Sequence, residues 1–387
     1  MTVITDTPTL VTLCADLAKA DFITVDTEFM RESTYYPELC LIQVADDNQA
    51  VAIDPLAPGI DLTPFLDLMA DTSILKVFHA CRQDIEIFVN LMDAVPAPIF
   101  DTQVAAMVCG FGDSVGYETL VTTLTKARID KSARYTDWSR RPLSDRQVTY
   151  ALSDVTHLRD IYRHLRADLD KSGRESWVEE EMAVLTSLDI YQLDPQQMWK
   201  KLKPRSTKPR FLGLLQDIAA WREEEAIRRN MPRRRVLKDE VVLELAASAP
   251  TTPDALSGVR GLGGGFGQSR SGKSLIEAIK VSKQRSDDDL PSIERAKPRP
   301  QTPPMAELLK VLLKIKCQEA GVAPKMVTNA ADIEAFAAGA LPDYPALKGW
   351  RKKIFGADAL RLMRGDLALT ANDGEIEIVE LEPEDAE

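Results

Sequence analysis

Long uninterrupted hydrophobic segments are missing from this sequence of 387 residues. Charged residues break its apolar runs well before the roughly 20 residues that a membrane-spanning helix requires. The first residues also lack the basic stretch, followed by an apolar stretch, that directs a protein to secretion. We therefore expect a chain that neither crosses nor binds a membrane.

Cysteine is scarce as well, with five residues that are scattered and form no CxxC pair. This usage excludes a disulfide framework, argues against a structural zinc site and fits a reducing compartment. With 19 glycines and 23 prolines, the composition is globular and neither collagen-like nor disordered. We expect a cytosolic protein of two or three domains.

The net charge of −12 is unevenly distributed along the chain. Residues 1–170 hold 14 basic and 26 acidic residues, residues 198–285 hold 19 and 9, and residues 286–387 hold 13 and 19. A basic block between acidic ones suits a polyanion-binding module joined to a catalytic domain that attracts divalent cations. Solvated helix faces would give the same pattern, so the catalytic motifs must decide.

Short β-branched runs near the N-terminus predict strands, and later segments show helical spacing. The predicted strands are 22–26, 39–45, 50–54 and 76–79, and the predicted helices of this part are 85–92, 102–108 and 146–165. Residues 1–170 therefore read as a mixed α/β domain. Beyond about residue 175 strand signals disappear, and the remainder reads as helices.

Polar and proline-rich stretches at 203–209 and 286–304 suggest domain boundaries. We predict a connecting segment at 171–207, a helical domain at 208–285, a linker at 286–303 and a second helical domain at 304–370. Residues 371–387, which are rich in acids, are predicted to form a mobile tail.

Asp26 and Glu28 lie at the end of the first strong strand, in DTE. Residues two apart on a strand project to the same side, so these carboxylates could share a cation. The pattern is weak alone, because a chain with 60 acids contains acid-x-acid roughly nine times by chance. A solvated strand end is the plainer interpretation.

Two further acids complete a candidate site. Asp84, in FHACRQD, falls where a helix begins, and Asp154 follows Tyr150 by one helical turn in YALSD. A helix cap would explain Asp84, and a half-buried tyrosine beside an exposed aspartate would explain the pair. The combination of acids that follow strands with one on a late helix is typical of sites that bind Mg²⁺ or Mn²⁺.

Several segments resemble the bacterial ribonuclease D family. They are DTEFMRESTYYPELCLIQVA, FHACRQDIEIF, FDTQVAAMVCG, DKSARYTDWSRRPLSDRQVTYALSDVTHL and the helical block after residue 208. The resemblance implies a ribonuclease H-like exonuclease fold of the DEDDy type. It places two divalent metal ions (Mg²⁺ or Mn²⁺) on Asp26, Glu28, Asp84 and Asp154. It also implies that Tyr150 orients the attacking water, because tyrosine, with a pKa near 10, is a poor base.

Residues 208–285 resemble the HRDC module of RecQ-type helicases and of this family, and 304–370 resemble a second, more divergent one. The expected fold is thus an α/β ribonuclease H-like exonuclease domain followed by two all-α HRDC-type domains. Basic residues crowd one helix end and the next loop of the first module, where they could meet backbone phosphates. They are Arg228, Arg229, Arg233, Arg234, Arg235 and Lys238.

The string GQSRSGKS, from residue 267 to 274, satisfies the phosphate-loop pattern GxxxxGKS. A phosphate loop must follow a buried strand, whereas GVRGLGGGF precedes this string. We therefore predict no nucleotide site there, and expect Gly272 to begin the last helix of the first HRDC-type module. We likewise interpret Trp138 as a packed aromatic residue and assign no ligand role to the three histidines.

The resemblance implies a metal-dependent 3′–5′ exoribonuclease. The expected partner is RNA with a free 3′ hydroxyl, such as a transfer RNA precursor, and the expected products are nucleoside 5′-monophosphates released by a monomeric protein. One alternative is a 3′ exonuclease on DNA, because carboxylates grip phosphate rather than sugar and only contacts to the 2′-OH would discriminate. Another is a non-catalytic HRDC nucleic-acid-binding protein.

Overall fold

A computed structural model describes residues 3–204, 206–293, 304–339 and 343–381 of the chain. The first part is built on a six-stranded sheet in the order β1-β4-β3-β2-β5-β6. Strand β3 is antiparallel to β2 and β4, and the other neighbours are parallel. The strands are β1 Val3–Ile4, β2 Phe22–Met30, β3 Glu38–Ala45, β4 Ala50–Ile53, β5 Leu75–Phe78 and β6 Ile99–Asp101.

This sheet confirms the predicted mixed α/β domain and its four strands. The prediction missed the two edge strands β1 and β6, which have two and three residues and are too short to show a period. It also ended β2 too early, because the strand continues past Asp26 to Met30.

Seven α-helices accompany the sheet in the described residues up to Leu185, and α6 is the longest, with 28 residues. It starts with a capping box between Ser144 and Gln147 and ends at Ser172, where Gly173 in the left-handed conformation caps it. The hydroxyl of Thr24 on β2 donates to the carbonyl of Val155 at 2.8 Å, which holds α6 against the sheet. The helices are α1 Thr7–Leu17, α2 Thr63–Ala70, α3 Arg82–Met92, α4 Thr102–Val108, α5 Tyr117–Leu120, α6 Asp145–Ser172 and α7 Glu175–Leu185.

The middle of the chain forms a helical unit with its own apolar core. Its core also includes Met198, Trp199 and Leu202, which the sequence analysis placed in the connecting segment. Ser269 caps α12, so the string GQSRSGKS runs from a short 3₁₀ turn into a helix that begins at Arg270, two residues before the predicted start at Gly272. The helices are α8 Pro209–Arg228, α9 Arg233–Val236, α10 Asp239–Ser248, α11 Pro253–Ser257 and α12 Arg270–Gln284.

The C-terminal part contains helices and a β-hairpin. Its elements are α13 Pro304–Ala320, α14 Pro324–Val327, α15 Ala330–Ala337, α16 Gly349–Arg351, α17 Ala357–Arg364, β7 Leu367–Asn372 and β8 Glu375–Glu380. The prediction of an all-α unit followed by a mobile tail from residue 371 is therefore wrong. Asp373 and Gly374 both have positive φ and close a tight turn between alternating apolar residues. Residues 294–303 of the predicted linker and 382–387 of the predicted tail lie outside the described residues.

The C-terminal helices share the core of the sheet domain. One buried apolar cluster runs from the sheet to α13–α17. Trp177 on α7 stacks on Trp350 on α16, with ring centroids 4.4 Å apart and planes 9° apart, and the amide of Ala323 donates to the carbonyl of Met107. A separate second HRDC-type domain is therefore not confirmed, because the C-terminal helices pack into the core of the sheet domain.

Gly110 shows how closely the two parts meet. Its φ is +85°, and a Cβ at this position would lie 2.6 Å from the carbonyl oxygen of Gly321. Only glycine combines this conformation with so close an approach of two backbones.

Within the described residues, no helix combines the length and the apolar character that spanning a bilayer requires.

Candidate active site

Three acids from two elements meet above the sheet. Asp26 and Glu28 project from the same face of β2, and Asp154 projects from α6, which crosses that face. One carboxylate oxygen of each residue lies within 4.8 Å of the others. Oxygen donors at this spacing are what a hard divalent cation requires, so the donor set fits Mg²⁺ or Mn²⁺.

Asp84 lies beside this cluster but outside the group of three. It stands in the first turn of α3 and is 7% exposed. Its Oδ1 accepts a hydrogen bond from the hydroxyl of Thr27 at 2.5 Å. Burial and then the charge of Asp26 raise the pKa of Asp84, and the hydrogen bond opposes this increase. Asp84 thus belongs to the same electrostatic network, with its carboxylate turned to Thr27.

The three clustered carboxylates disfavour one another's charge. Burial and then neighbouring acids raise the pKa of Glu28 to about 9. Burial raises the pKa of Asp154 to about 7, and burial together with the charge of Asp154 raises that of Asp26. Such shifts arise when negative groups are removed from water without enough positive charge nearby. A bound cation would supply that charge.

Tyr150 lies one helical turn before Asp154 and forms a hydrogen bond with its carboxylate that lowers the pKa of that acid. Burial and then the charges of Asp154 and Glu28 raise the pKa of the Tyr150 phenol. The phenol is therefore neutral at ordinary pH and serves as a hydrogen-bond donor rather than a base. Its ring lies 6.2 Å from that of Trp138, which is 3% exposed, so the predicted packing role of Trp138 is confirmed.

A cleft of about 510 Å³ is lined by the three clustered acids and by Tyr150. The guanidinium charge of Arg134 lowers the pKa of Glu28 and of Asp154, so this cation acts on two acids of the cluster. Tyr135 also lines the cleft with its side chain 90% exposed. The sequence pattern does not indicate either residue, because both lie in an irregular segment whose path no periodicity reveals.

Two other residues shape the cleft. Tyr117 donates its hydroxyl to the carbonyl of Asp154 at 2.5 Å, and its ring lies 5.4 Å from that of His79. The hydroxyl of Thr102 donates to the carbonyl of Phe78, so Nδ1 of His79, 3.0 Å away, donates to that hydroxyl oxygen. Burial lowers the pKa of His79. Sequence reasoning gave His79 no role, and the structure places it in the wall of the cleft.

The basic residues predicted to bind nucleic acid are partly paired with acids. Arg233 forms an ion pair with the fully buried Glu223 at 2.9 Å, and Arg228 pairs with Glu225 at 2.8 Å. The others lie at the surface of the same region. Arg229 lies 3.9 Å from Glu225 and Arg234 3.9 Å from Asp239, Arg235 donates to the carbonyl of Glu32, and Lys238 is exposed before α10.

Similarity to known proteins extends over nearly the whole chain. A family model described as 3′-5′ exonuclease matches residues 1–170, and one described as HRDC domain matches residues 211–279. A protein named Ribonuclease D from Granulibacter bethesdensis is 50% identical over 381 residues, which are 98% of this chain and 96% of that protein. One of the same name from Nitrobacter hamburgensis is 48% identical over 98% of this chain and 100% of its own length.

A solved structure is similar over the same extent. The crystal structure of Escherichia coli RNase D, described as an exoribonuclease involved in structured RNA processing, aligns with a TM-score of 0.80 and 28% identity. The alignment covers 94% of this chain and 98% of that one. The similarity therefore includes the sheet, the middle helical unit and the C-terminal helices.

Proposed function

The chain belongs to the ribonuclease D family, and we propose that it is a 3′–5′ exoribonuclease that trims structured RNA precursors, with transfer RNA precursors as substrates. It releases nucleoside 5′-monophosphates one at a time. The observation that carries the proposal is the meeting of Asp26, Glu28 and Asp154, with oxygens within 4.8 Å of one another, in a cleft large enough for a nucleotide.

We propose that Asp26, Glu28 and Asp154, joined by Asp84, hold two divalent ions, Mg²⁺ or Mn²⁺. Such ions activate a water molecule and stabilise the departing 3′ oxygen. The neutral phenol of Tyr150, which gives its hydrogen to the carboxylate of Asp154, would orient that water by accepting a hydrogen bond from it. Arg134, whose charge reaches the same carboxylates, is placed to contact a phosphate of the substrate.

We further propose that residues 1–170 are the catalytic domain and 208–285 an HRDC domain that binds RNA. The segments 171–207 and 286–303 link these domains to the rest of the chain. Arg228, Arg229, Arg233, Arg234, Arg235 and Lys238 form the contact with backbone phosphates, a role that needs no base recognition. The five free cysteines fit a protein of the reducing cytoplasm, where it acts as a monomer.

The test is incubation of the purified protein with Mg²⁺ or Mn²⁺ and matched RNA and DNA oligonucleotides that end in a 3′ hydroxyl or a 3′ phosphate. We expect stepwise shortening of the 3′-hydroxyl RNA, with nucleoside 5′-monophosphates as products. We expect no cleavage when EDTA removes the divalent cations. Preferential degradation of DNA would favour the DNA exonuclease. Binding of RNA without cleavage under every metal condition would support the non-catalytic alternative.

A further inference from the structure

Gln43 lies in the middle of the sheet, directly beside one member of the acid cluster. It stands on β3 and pairs with Asp26 on β2 and with Ala52 on β4. Residues directly opposite each other on antiparallel strands project to the same face. Gln43 therefore shares the face from which Asp26 projects, and α6, which carries Asp154, covers that face.

The side chain of Gln43 is fully buried, with 0% exposure. Within the described part of the chain, neither its amide nitrogen nor its amide oxygen has a hydrogen-bond partner. A primary amide offers two N–H donors and two acceptor positions, and leaving them unpaired in an apolar environment opposes folding. A methionine or leucine would occupy similar space without the cost of burying unpaired polar atoms. The amide therefore indicates a hydrogen-bond partner that the folded protein without metal does not provide.

We propose that Gln43 is a positioning residue for Asp26, an inference that rests on the proposed metal-dependent function. Its amide nitrogen donates to the carboxylate of Asp26 when that carboxylate holds a divalent cation. The hydrogen bond fixes the direction in which the remaining carboxylate lone pairs point. Carboxylates that bind metal ions are commonly oriented by such neighbours, and removing the neighbour weakens metal binding or activity about 10- to 100-fold.

Position and pairing separate Gln43 from an ordinary core residue. Thr24 lies on the same face of the sheet and is equally buried, yet its hydroxyl bonds to the carbonyls of Val155 and Ala45. Its polar group is thus satisfied by the fold itself. The amide of Gln43, opposite the carboxylate of Asp26, has that carboxylate as its natural acceptor.

The experiment compares Gln43→Met with the wild-type protein. Mn²⁺ binding is measured by calorimetry, thermal unfolding is measured in EDTA, and kcat and KM are measured on a 3′-hydroxyl RNA oligonucleotide. We expect the metal-free unfolding midpoint to stay unchanged or rise, because an unpaired amide is removed. We expect Mn²⁺ to bind about 10-fold more weakly, and kcat to fall while KM for RNA stays within about two-fold.

Ser282 on α12 provides the matched control, because its hydroxyl is also buried without a partner in the described residues but lies in the middle helical unit. Ser282→Ala should leave Mn²⁺ affinity and kcat unchanged. Mn²⁺ affinity of Gln43→Met within two-fold of wild type would overturn the proposal. Gln43→Leu is measured in the same way if Gln43→Met does not fold, and failure of both to fold would assign Gln43 to packing and also overturn it. Weaker Mn²⁺ binding in a protein whose wild type releases no nucleotide would refute the proposed function and leave the role of Gln43 standing.

Discussion

The phenol of Tyr35 donates a hydrogen bond of 2.5 Å to the carboxylate of Glu223 on α8. Tyr35 lies in the loop that follows β2, the strand of Asp26 and Glu28, and it packs against the core of the middle helical unit. Glu223 is fully buried and also pairs with Arg233. This contact joins the loop after β2 to the predicted RNA-binding unit. Glu223 is also a structural partner of Arg233, for which we propose an RNA contact.

We expect Tyr35→Phe to lower the free energy of unfolding by about 1.5–3 kcal/mol, the usual value of a hydrogen bond to a charged group. Glu223 would lose a partner in a site with little access to water. Chemical denaturation measures the change. Tyr36→Phe is the control, because Tyr36 is adjacent and more exposed. Equal stability of the two variants would show that the hydrogen bond contributes nothing.

Asp26→Asn and Asp154→Asn should abolish turnover and leave the fold intact. The metal site is expected to supply several kcal/mol of transition-state stabilisation, so loss of one carboxylate should reduce kcat by about 1000-fold or more. RNA binding should be largely retained, as measured by fluorescence anisotropy. Asp160→Asn, an exposed change on the same helix, should be fully active. Full activity of Asp26→Asn or Asp154→Asn would remove that residue from the site.

The metal-free protein should become less stable as pH rises, because Glu28 loses a proton that its folded environment favours. Its pKa is raised from 4.5 to about 9 in the folded protein, so between these values the folded state holds a proton that the unfolded state has released. The free energy of unfolding therefore falls with increasing pH across this window. We expect a smaller fall for Glu28→Gln, which cannot ionise.

The measurement is thermal unfolding at pH 5, 7 and 9 in EDTA for both proteins. Addition of Mn²⁺ at pH 9 should stabilise the wild type more than Glu28→Gln, since the cation favours the ionised carboxylate. Parallel pH curves for the two proteins would contradict the assignment of the shift to Glu28.

Gly110→Ala should destabilise the protein more than Gly112→Ala. Both glycines have positive φ, so both variants carry the same class of backbone strain. A Cβ at Gly110 also meets the carbonyl of Gly321 at 2.6 Å, whereas one at Gly112 meets nothing within 4 Å. We expect an additional loss of about 1–3 kcal/mol at Gly110, the usual range for overpacking. Thermal and chemical unfolding measure the stability of both variants. Equal losses of unfolding free energy would show that the close approach of Gly110 to Gly321 contributes nothing.

Lys238→Ala should weaken RNA binding similarly for all sequences and lower the salt dependence of the affinity. Loss of one phosphate contact reduces the slope of log affinity against log salt by about 0.7–0.9. Titrations at several salt concentrations measure that slope. Lys280→Ala is the control, because Lys280 lies on α12 outside the predicted surface and pairs with Glu277. An unchanged slope in Lys238→Ala would exclude Lys238 from the interface.

The sequence predicted the parts of the site that depend on local periodicity. The spacing of Asp26 and Glu28 on a strand, and of Tyr150 and Asp154 on a helix, was enough to place each pair on one face. The sequence also made Asp84 a candidate, because it follows a strand at the start of a helix, and the resemblance implied that it is a metal ligand. The bond of Asp84 to Thr27 could not be anticipated, because it joins residues that are 57 positions apart.

Features that depend on tertiary contacts could not be predicted from the sequence. The charges of Arg228 and Arg233 suggested a free basic surface, but Glu225 and Glu223 neutralise part of it. The hairpin at β7 and β8 carried a recognisable signal, Asp373-Gly374 between alternating apolar residues, which the acidic composition of the segment obscured. The packing of α13–α17 into the core of the sheet domain joins distant parts of the chain. Local sequence periodicity does not reveal such long-range contacts.

The stack of Trp177 on Trp350 has a consequence for biosynthesis. The N-terminal sheet and the C-terminal helices bury their apolar surfaces in one cluster, with the middle helical unit inserted between them along the chain. On the ribosome, the middle unit can fold while the sheet domain still waits for its last helices to be translated. A nascent chain that stalls before α13 would thus keep an unsatisfied hydrophobic face, and the sheet domain would complete its core only once α13–α17 have been translated.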